Sequence, residues 1–128
     1  MAAALLLDTD VLIDYLRGLP QAVGWLEDVD SPLLLSAVTV AELYAGVRDG
    51  EERTTLEAFL GAFETIPVNR EIATQGGLYR RDFLRSHGTG LADALIAATA
   101  ATAQARLVTL NETHFPMLTE ILVPYRKS

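Results

Sequence analysis

The sequence predicts an α/β protein, a three-layer α/β/α sandwich around a central parallel sheet of about five strands. Three observations predict it. Short apolar runs alternate with longer helical patterns, the signature of sheet and crossover helices. Several of those runs lack polar alternation, which is how strands buried on both faces read. Acidic residues follow the runs closely, in the region where parallel sheets gather functional groups.

Five runs qualify as strands: Ala3–Leu7, Leu33–Ser36, Thr65–Val68, Leu107–Leu110 and Ile121–Val123. Met1 to Leu7 is apolar without a basic leader or a small-residue cleavage site, so it reads as a buried strand and not as a signal peptide. Helical patterns lie between the runs. Val11–Arg17 ends at Gly18-Leu19-Pro20, and Gln21–Val29 puts Ala22, Trp25, Leu26 and Val29 on one face. Thr39–Val47 and Glu51–Phe63 are separated at Asp49-Gly50. Arg70–Ser86 is punctuated by Gly76-Gly77, and Leu91–Ala105 is Ala-rich on nearly every side, fit for close packing on the sheet.

A chain of 128 residues with 50% apolar content fits one domain, taken as residues 1–128, with a real core. No apolar run approaches the roughly 18–20 residues needed to cross a bilayer. With no Cys there is no disulfide or thiolate chemistry, and a cytoplasmic setting is expected. The net charge is −7, and Lys127 is the single Lys among ten basic residues. Such a balance argues against a broad electrostatic grip on nucleic acid. It fits carboxylates concentrated around cations, or a basic partner.

The acids carry the functional signal. Asp8 and Asp10 follow the first strand at once, Glu42 sits one turn into the helix after the second, and Asp93 opens the Ala-rich helix. Each has a purely structural explanation. Asp8 suits a helix N-cap, Thr39-Val40-Ala41-Glu42 suits a capping box, and Asp93 gains from the helix dipole. Together they point elsewhere, because all three fall at one edge of the predicted sheet. Like charges converging in a cleft are tolerated when a divalent cation neutralises them. Hard oxygen donors favour Mg²⁺ or Mn²⁺ over zinc.

Four segments stand out: Leu-Leu-Leu-Asp-Thr-Asp-Val-Leu-Ile-Asp (5–14), Ser-Ala-Val-Thr-Val-Ala-Glu-Leu (36–43), Leu-Ala-Asp-Ala-Leu-Ile-Ala-Ala-Thr-Ala (91–100) and Leu-Val-Thr-Leu-Asn-Glu-Thr-His-Phe (107–115). Together they resemble PIN-domain toxins of the VapC type. They occur in order and span essentially the whole chain. The resemblance implies a PIN-like fold and an endoribonuclease that cleaves RNA by metal-activated water. It also implies Mg²⁺ (or Mn²⁺) as cofactor, a cognate VapB-type antitoxin and a homodimer. Carried across, Asp8, Glu42 and Asp93 match the family's catalytic acids and metal ligands. Thr9, Asp10, Thr109 and Asn111 are supporting candidates. One departure stands out: His114 occupies the place before Phe115 where the family often has an acid. Ligation of metal, contact with phosphate and no role at all remain open for it.

Arg81 and Arg85, one turn apart on the Arg70–Ser86 helix, are candidates for RNA contact; a solvated face paired with Asp82 explains them equally. The segment Val11–Val29, with Leu12, Tyr15, Leu16 and Trp25, offers an apolar groove to a partner helix or simply packs in the core. Two other functions compete. A weakened domain would bind metal, RNA or antitoxin without efficient cleavage. A phosphatase of the haloacid dehalogenase type would use Asp8 as nucleophile and Asp10 as general acid, but lacks a suitable Lys.

Overall fold

The structure is a computed structural model that describes residues 3–127. Met1 and Ala2, grouped above with the first strand, lie outside the described residues. Five parallel strands form one sheet: β1 (Leu5–Leu7), β2 (Leu33–Ser36), β3 (Glu64–Ile66), β4 (Arg106–Val108) and β5 (Ile121–Leu122), in the order β3-β2-β1-β4-β5. Six helices connect them: α1 (Thr9–Leu16), α2 (Pro20–Asp28), α3 (Ala37–Ala45), α4 (Glu51–Leu60), α5 (Arg70–His87) and α6 (Leu91–Thr102). All eleven predicted elements are present, with ends shifted by at most three residues.

Successive strand residues feed opposite cores, because side chains alternate across a strand. Leu5, Leu7, Leu35 and Val108 pack with Val11 and Leu12 of α1, Leu26 of α2, Leu43 of α3 and Leu56 of α4. Leu6, Leu34 and Leu107 point the other way, onto Ile96, Ala97 and Ala100 of α6 and onto Phe115. This two-sided burial explains why the strands read as unbroken apolar runs. Each such Leu contributes about 1.5–3 kcal/mol by leaving water.

The small residues of α6 let α5 lie close against it. A methyl group at Gly76 would come within 2.6 Å of Leu95 Cδ2 and 3.2 Å of its Cα. Gly76 therefore marks a helix contact and not a break, and α5 runs through it. The helix stops instead at Gly88, whose φ of +65° supplies the left-handed cap.

The strand order places the functional edge. The chain steps outward from β1 through β2 to β3, then returns to β4 on the other side of β1. The β1–β4 boundary is thus the point where the strand order reverses, and ligands bind outside the carboxyl ends of strands at such a point. Leu7 pairs with Val108, so Asp8 and Thr109 leave the sheet side by side.

Candidate active site

Asp8 leaves β1 and caps α1. Its Oδ1 accepts from the Thr9 amide at 2.8 Å, and its Oδ2 accepts from Thr109 Oγ1 at 2.8 Å. The side chain is buried, and burial is the main force pushing its pKa up to about 7. The neighbouring Asp10 adds to that rise, and Asp93 contributes further. A carboxylate this reluctant to ionise, beside two others, is a place where a cation would lower the energy.

Asp10 is committed to the opposite loop. Its Oδ2 accepts from the Leu110 amide at 3.0 Å and from Asn111 Nδ2 at 3.0 Å, while its Oδ1 accepts from the Val11 amide. Burial raises its pKa, and the bonds from the Leu110 and Val11 amides pull the other way. Asp10 and Asn111 thereby fasten residues 109–111 to the start of α1.

Glu42 behaves differently from the capping-box expectation. The cap of α3 is Ser36, whose Oγ accepts from the Val38 amide at 3.0 Å. The helix therefore starts before Thr39, and Thr39 falls inside it. Glu42 instead accepts from Thr9 Oγ1 at 2.6 Å. A hydroxyl has one proton, so the 3.2 Å contact between Thr9 and Thr39 makes Thr39 the donor there. This chain carries α3's acid to the first residue of α1.

Asp93 stands in the first turn of α6, half-buried. Burial raises its pKa; His114, with Nδ1 at 3.6 Å from Oδ2, pulls it down, and Glu42 pushes it up. Helices α1, α3 and α6 and the segment after β4 therefore bring Asp8, Thr9, Asp10, Glu42, Asp93, Thr109, Asn111 and His114 to one edge. Among the described residues, no three Asp, Glu or His side chains are already gathered as a chelate. Asp8 is turned to Thr109, Glu42 to Thr9 and Asp93 to His114. The carboxylates of Asp8, Glu42 and Asp93 nonetheless suit a hard divalent cation, as oxygen donors with excess negative charge.

Arg81 is exposed and pairs with Asp82 at 2.9 Å, and Arg85 lies in the last turn of α5. Of the two readings of Val11–Val29, core packing holds for Leu12, Tyr15 and Trp25, while Leu16 lines a groove. Leu12 is fully buried, and Tyr15 stacks on Phe59 with centroids 5.1 Å apart. That groove, of about 620 Å³, lies among Ile13 and Leu16 of α1, Leu43 of α3, Val47 just after α3 and Leu56 of α4, with Glu42 at its side.

The family model of the PIN domain matches residues 5–117, which cover every element above except β5. The chain belongs to the PIN-domain family. It is 42% identical to "Ribonuclease VapC10" of Mycobacterium tuberculosis over 124 residues, 94% of this chain and 92% of that one. It is 40% identical to "Ribonuclease VapC19" of the same organism, covering 94% of this chain and 98% of that one. Among solved structures, a toxin–antitoxin complex from Klebsiella pneumoniae superposes with a TM-score of 0.83 at 27% identity, covering 95% of this chain and 98% of that one.

Two features of this PIN domain were missed in the sequence. Asp14, in the α1 stripe with Val11 and Leu12, is buried and accepts from Tyr125 Oη and Lys127 Nζ, both at 2.9 Å. Thr39 and its bond to Thr9 were hidden behind the capping-box pattern. An acid within a buried helical stripe is itself a signal, because it demands a distant donor. No helix is long and apolar enough to cross a membrane among the described residues.

Proposed function

We propose that this chain is the toxin of a VapBC-type pair, an endoribonuclease that hydrolyses RNA phosphodiester bonds and is restrained by a cognate antitoxin. The observation that carries this reading is the line of acids at the β1–β4 switch point, in a chain 42% identical to a VapC ribonuclease.

Asp8, Glu42 and Asp93 would hold Mg²⁺, or Mn²⁺ in its place. When bound, such an ion supplies Lewis acidity toward water and toward the phosphate oxygens. The chain's own residues set the geometry. Thr109 and the Thr9 amide fix both oxygens of Asp8, so this carboxylate keeps one orientation. Thr9 steers Glu42 toward the cleft from the far side. Asp10 and Asn111 hold the 109–111 loop, and with it Thr109, in register. His114 sets a basic nitrogen beside Asp93, in place of a further acid. No nucleophilic side chain is required for attack by water.

The antitoxin reading has its own support. The groove beside Glu42 sets Ile13, Leu16, Leu43, Val47 and Leu56 among Arg17, Arg48 and Glu52, a mixed lining that suits an amphipathic helix. A basic residue on such a helix would meet the acids directly.

The test is cleavage mapping on total RNA with added Mg²⁺, comparing the parent with Asp8→Asn and Asp93→Asn. We expect specific cuts by the parent and a loss of at least about a hundredfold in either variant. Cuts that persist in both variants would sink the site assignment. A folded parent that makes no cuts would favour a domain that binds without cleaving.

A further inference from the structure

The cleft beside Asp10 shares no lining residue with the groove beside Glu42 and has a different character. It encloses about 390 Å³ and is lined by Asp10, Asn111, Tyr125, Arg126 and Lys127. The volume is within the usual range of ligand pockets, roughly 300–1,000 Å³. Two adjacent cations, one of them the chain's single Lys, thus stand next to the candidate site in a chain of net charge −7.

The segment after β5 is held in a definite pose. Tyr125 and Lys127, two residues apart, both reach the buried carboxylate of Asp14. Arg126 between them faces the other way, its Nη2 at 3.6 Å from Glu112 Oε1. That pair is loose, with side chains 77% and 52% exposed, so the guanidinium can exchange Glu112 for another anion at little cost. Lys127 spends one N–H on Asp14 and keeps donors for a second oxygen. The Tyr125 ring adds an aromatic wall next to the two cations.

We propose that this cleft is a substrate subsite: it binds the phosphate of a nucleotide flanking the scissile bond in single-stranded RNA, through Arg126 and Lys127. The proposal rests on the ribonuclease reading. A scissile phosphate set among carboxylates leaves the strand short of positive contacts, and the cleft supplies them one wall away. Thr109 couples the two places, since its Oγ1 lies 2.8 Å from Asp8 and 3.4 Å from Asp10. Guanidinium pairs with phosphate in bidentate fashion, and Tyr125, packed on the core and bonded to Asp14, holds the segment that carries both cations. Asp14 is then a positioning residue, acting through Tyr125 and Lys127.

The experiment measures KM, kcat and salt dependence on a single-stranded oligoribonucleotide containing a mapped cleavage site, for the parent and Arg126→Ala. Arg126 is exposed, so its removal leaves folding intact. We expect KM to rise about five- to tenfold, with most of the loss in KM and not in kcat. The log–log salt slope should fall by about 0.7, the value of one phosphate contact on a single strand. Shortening the oligonucleotide from the end that occupies the cleft should erase the difference between the two proteins. A parent that cleaves RNA while Arg126→Ala keeps the same KM and slope overturns the subsite alone. A parent that cleaves no RNA overturns the ribonuclease reading and the subsite with it.

Discussion

Thr109 Oγ1 donates to Asp8 Oδ2 across 2.8 Å, joining residues 101 positions apart in the chain. Both are buried and both stand one residue beyond paired strand ends, Leu7 and Val108. The sheet register therefore places the two side chains next to each other. Thr109 also accepts from the Asn111 amide at 3.1 Å, so its hydroxyl has a fixed direction.

Thr109→Val keeps the shape of the side chain and removes the donor. Asp8 would lose the bond that lowers its pKa, and the pKa would move further up. We expect a loss of about 1–3 kcal/mol in stability, the usual cost of an unsatisfied buried partner, read by thermal or urea denaturation. Cleavage should fall as well, and Thr109→Ser should restore most of both. Equal behaviour of the Val and Ser variants would show that the hydroxyl is idle.

Asp8 gives a pH prediction with a definite sign. Its folded pKa of about 7 lies above the ordinary value of 3.8 that the unfolded chain retains. Between those values the folded state binds more protons, so cation-free stability falls as pH rises from about 4 to about 7, then levels off. Asp8→Asn removes the burden. In the absence of divalent ions it should melt higher than the parent at pH 8, with the gap closing toward pH 4, even as cleavage is lost. Mn²⁺ should raise the parent's Tm more at pH 8 than at pH 5.5, because protons compete for the same oxygens. A gap between Asp8→Asn and the parent that does not widen from pH 5 to pH 8 without metal would contradict the raised pKa of Asp8.

Glu42 offers a third test, because its tether is one residue. Thr9→Val removes the donor held at 2.6 Å and leaves Thr39 to face an apolar group. Glu42 would then sample more orientations. We expect weaker metal binding, seen as a higher Mn²⁺ concentration for half-maximal cleavage, with maximal rates recovered at saturating ion. A fall in maximal rate at unchanged Mn²⁺ dependence would assign Thr9 to the substrate and not to Glu42.

Most of this fold was legible because its strands are buried on both faces. Leu5, Leu6 and Leu7 feed two cores, and such runs need no alternation to be seen. The acids were legible for a related reason: Asp8 and Asp93 interrupt apolar stretches just where an element begins. Glu42 was found, but its partner was not, since Thr39 three residues before a Glu imitates a cap that Ser36 actually provides. The link from Asp14 to Tyr125 and Lys127 spans more than a hundred residues, and no local pattern encodes it. The same holds for the cleft they shape, which sets Tyr125, Arg126 and Lys127 against the distant Asp10 and Asn111.

Gly76 and Gly77 look alike in sequence and should respond oppositely to the same change. Ala in an exposed helix interior is favoured over Gly by roughly 1 kcal/mol. Gly77 is exposed, and a methyl group there would meet nothing within 4 Å, so Gly77→Ala should raise stability by about 0.5–1 kcal/mol. Gly76 is buried, and a methyl there meets Leu95 at 2.6 Å on the side chain and 3.2 Å on the backbone. The side chain can turn, but Leu95 Cα moves only with α6, and α6 carries Asp93. Gly76→Ala should therefore cost about 1–3 kcal/mol from overpacking, net of the helix gain. It should also depress cleavage by shifting Asp93, although Gly76 itself makes no contact with the acids. Denaturation of the two variants side by side decides it, and equal stabilisation by both would mean that α5 and α6 are not pressed together at this point.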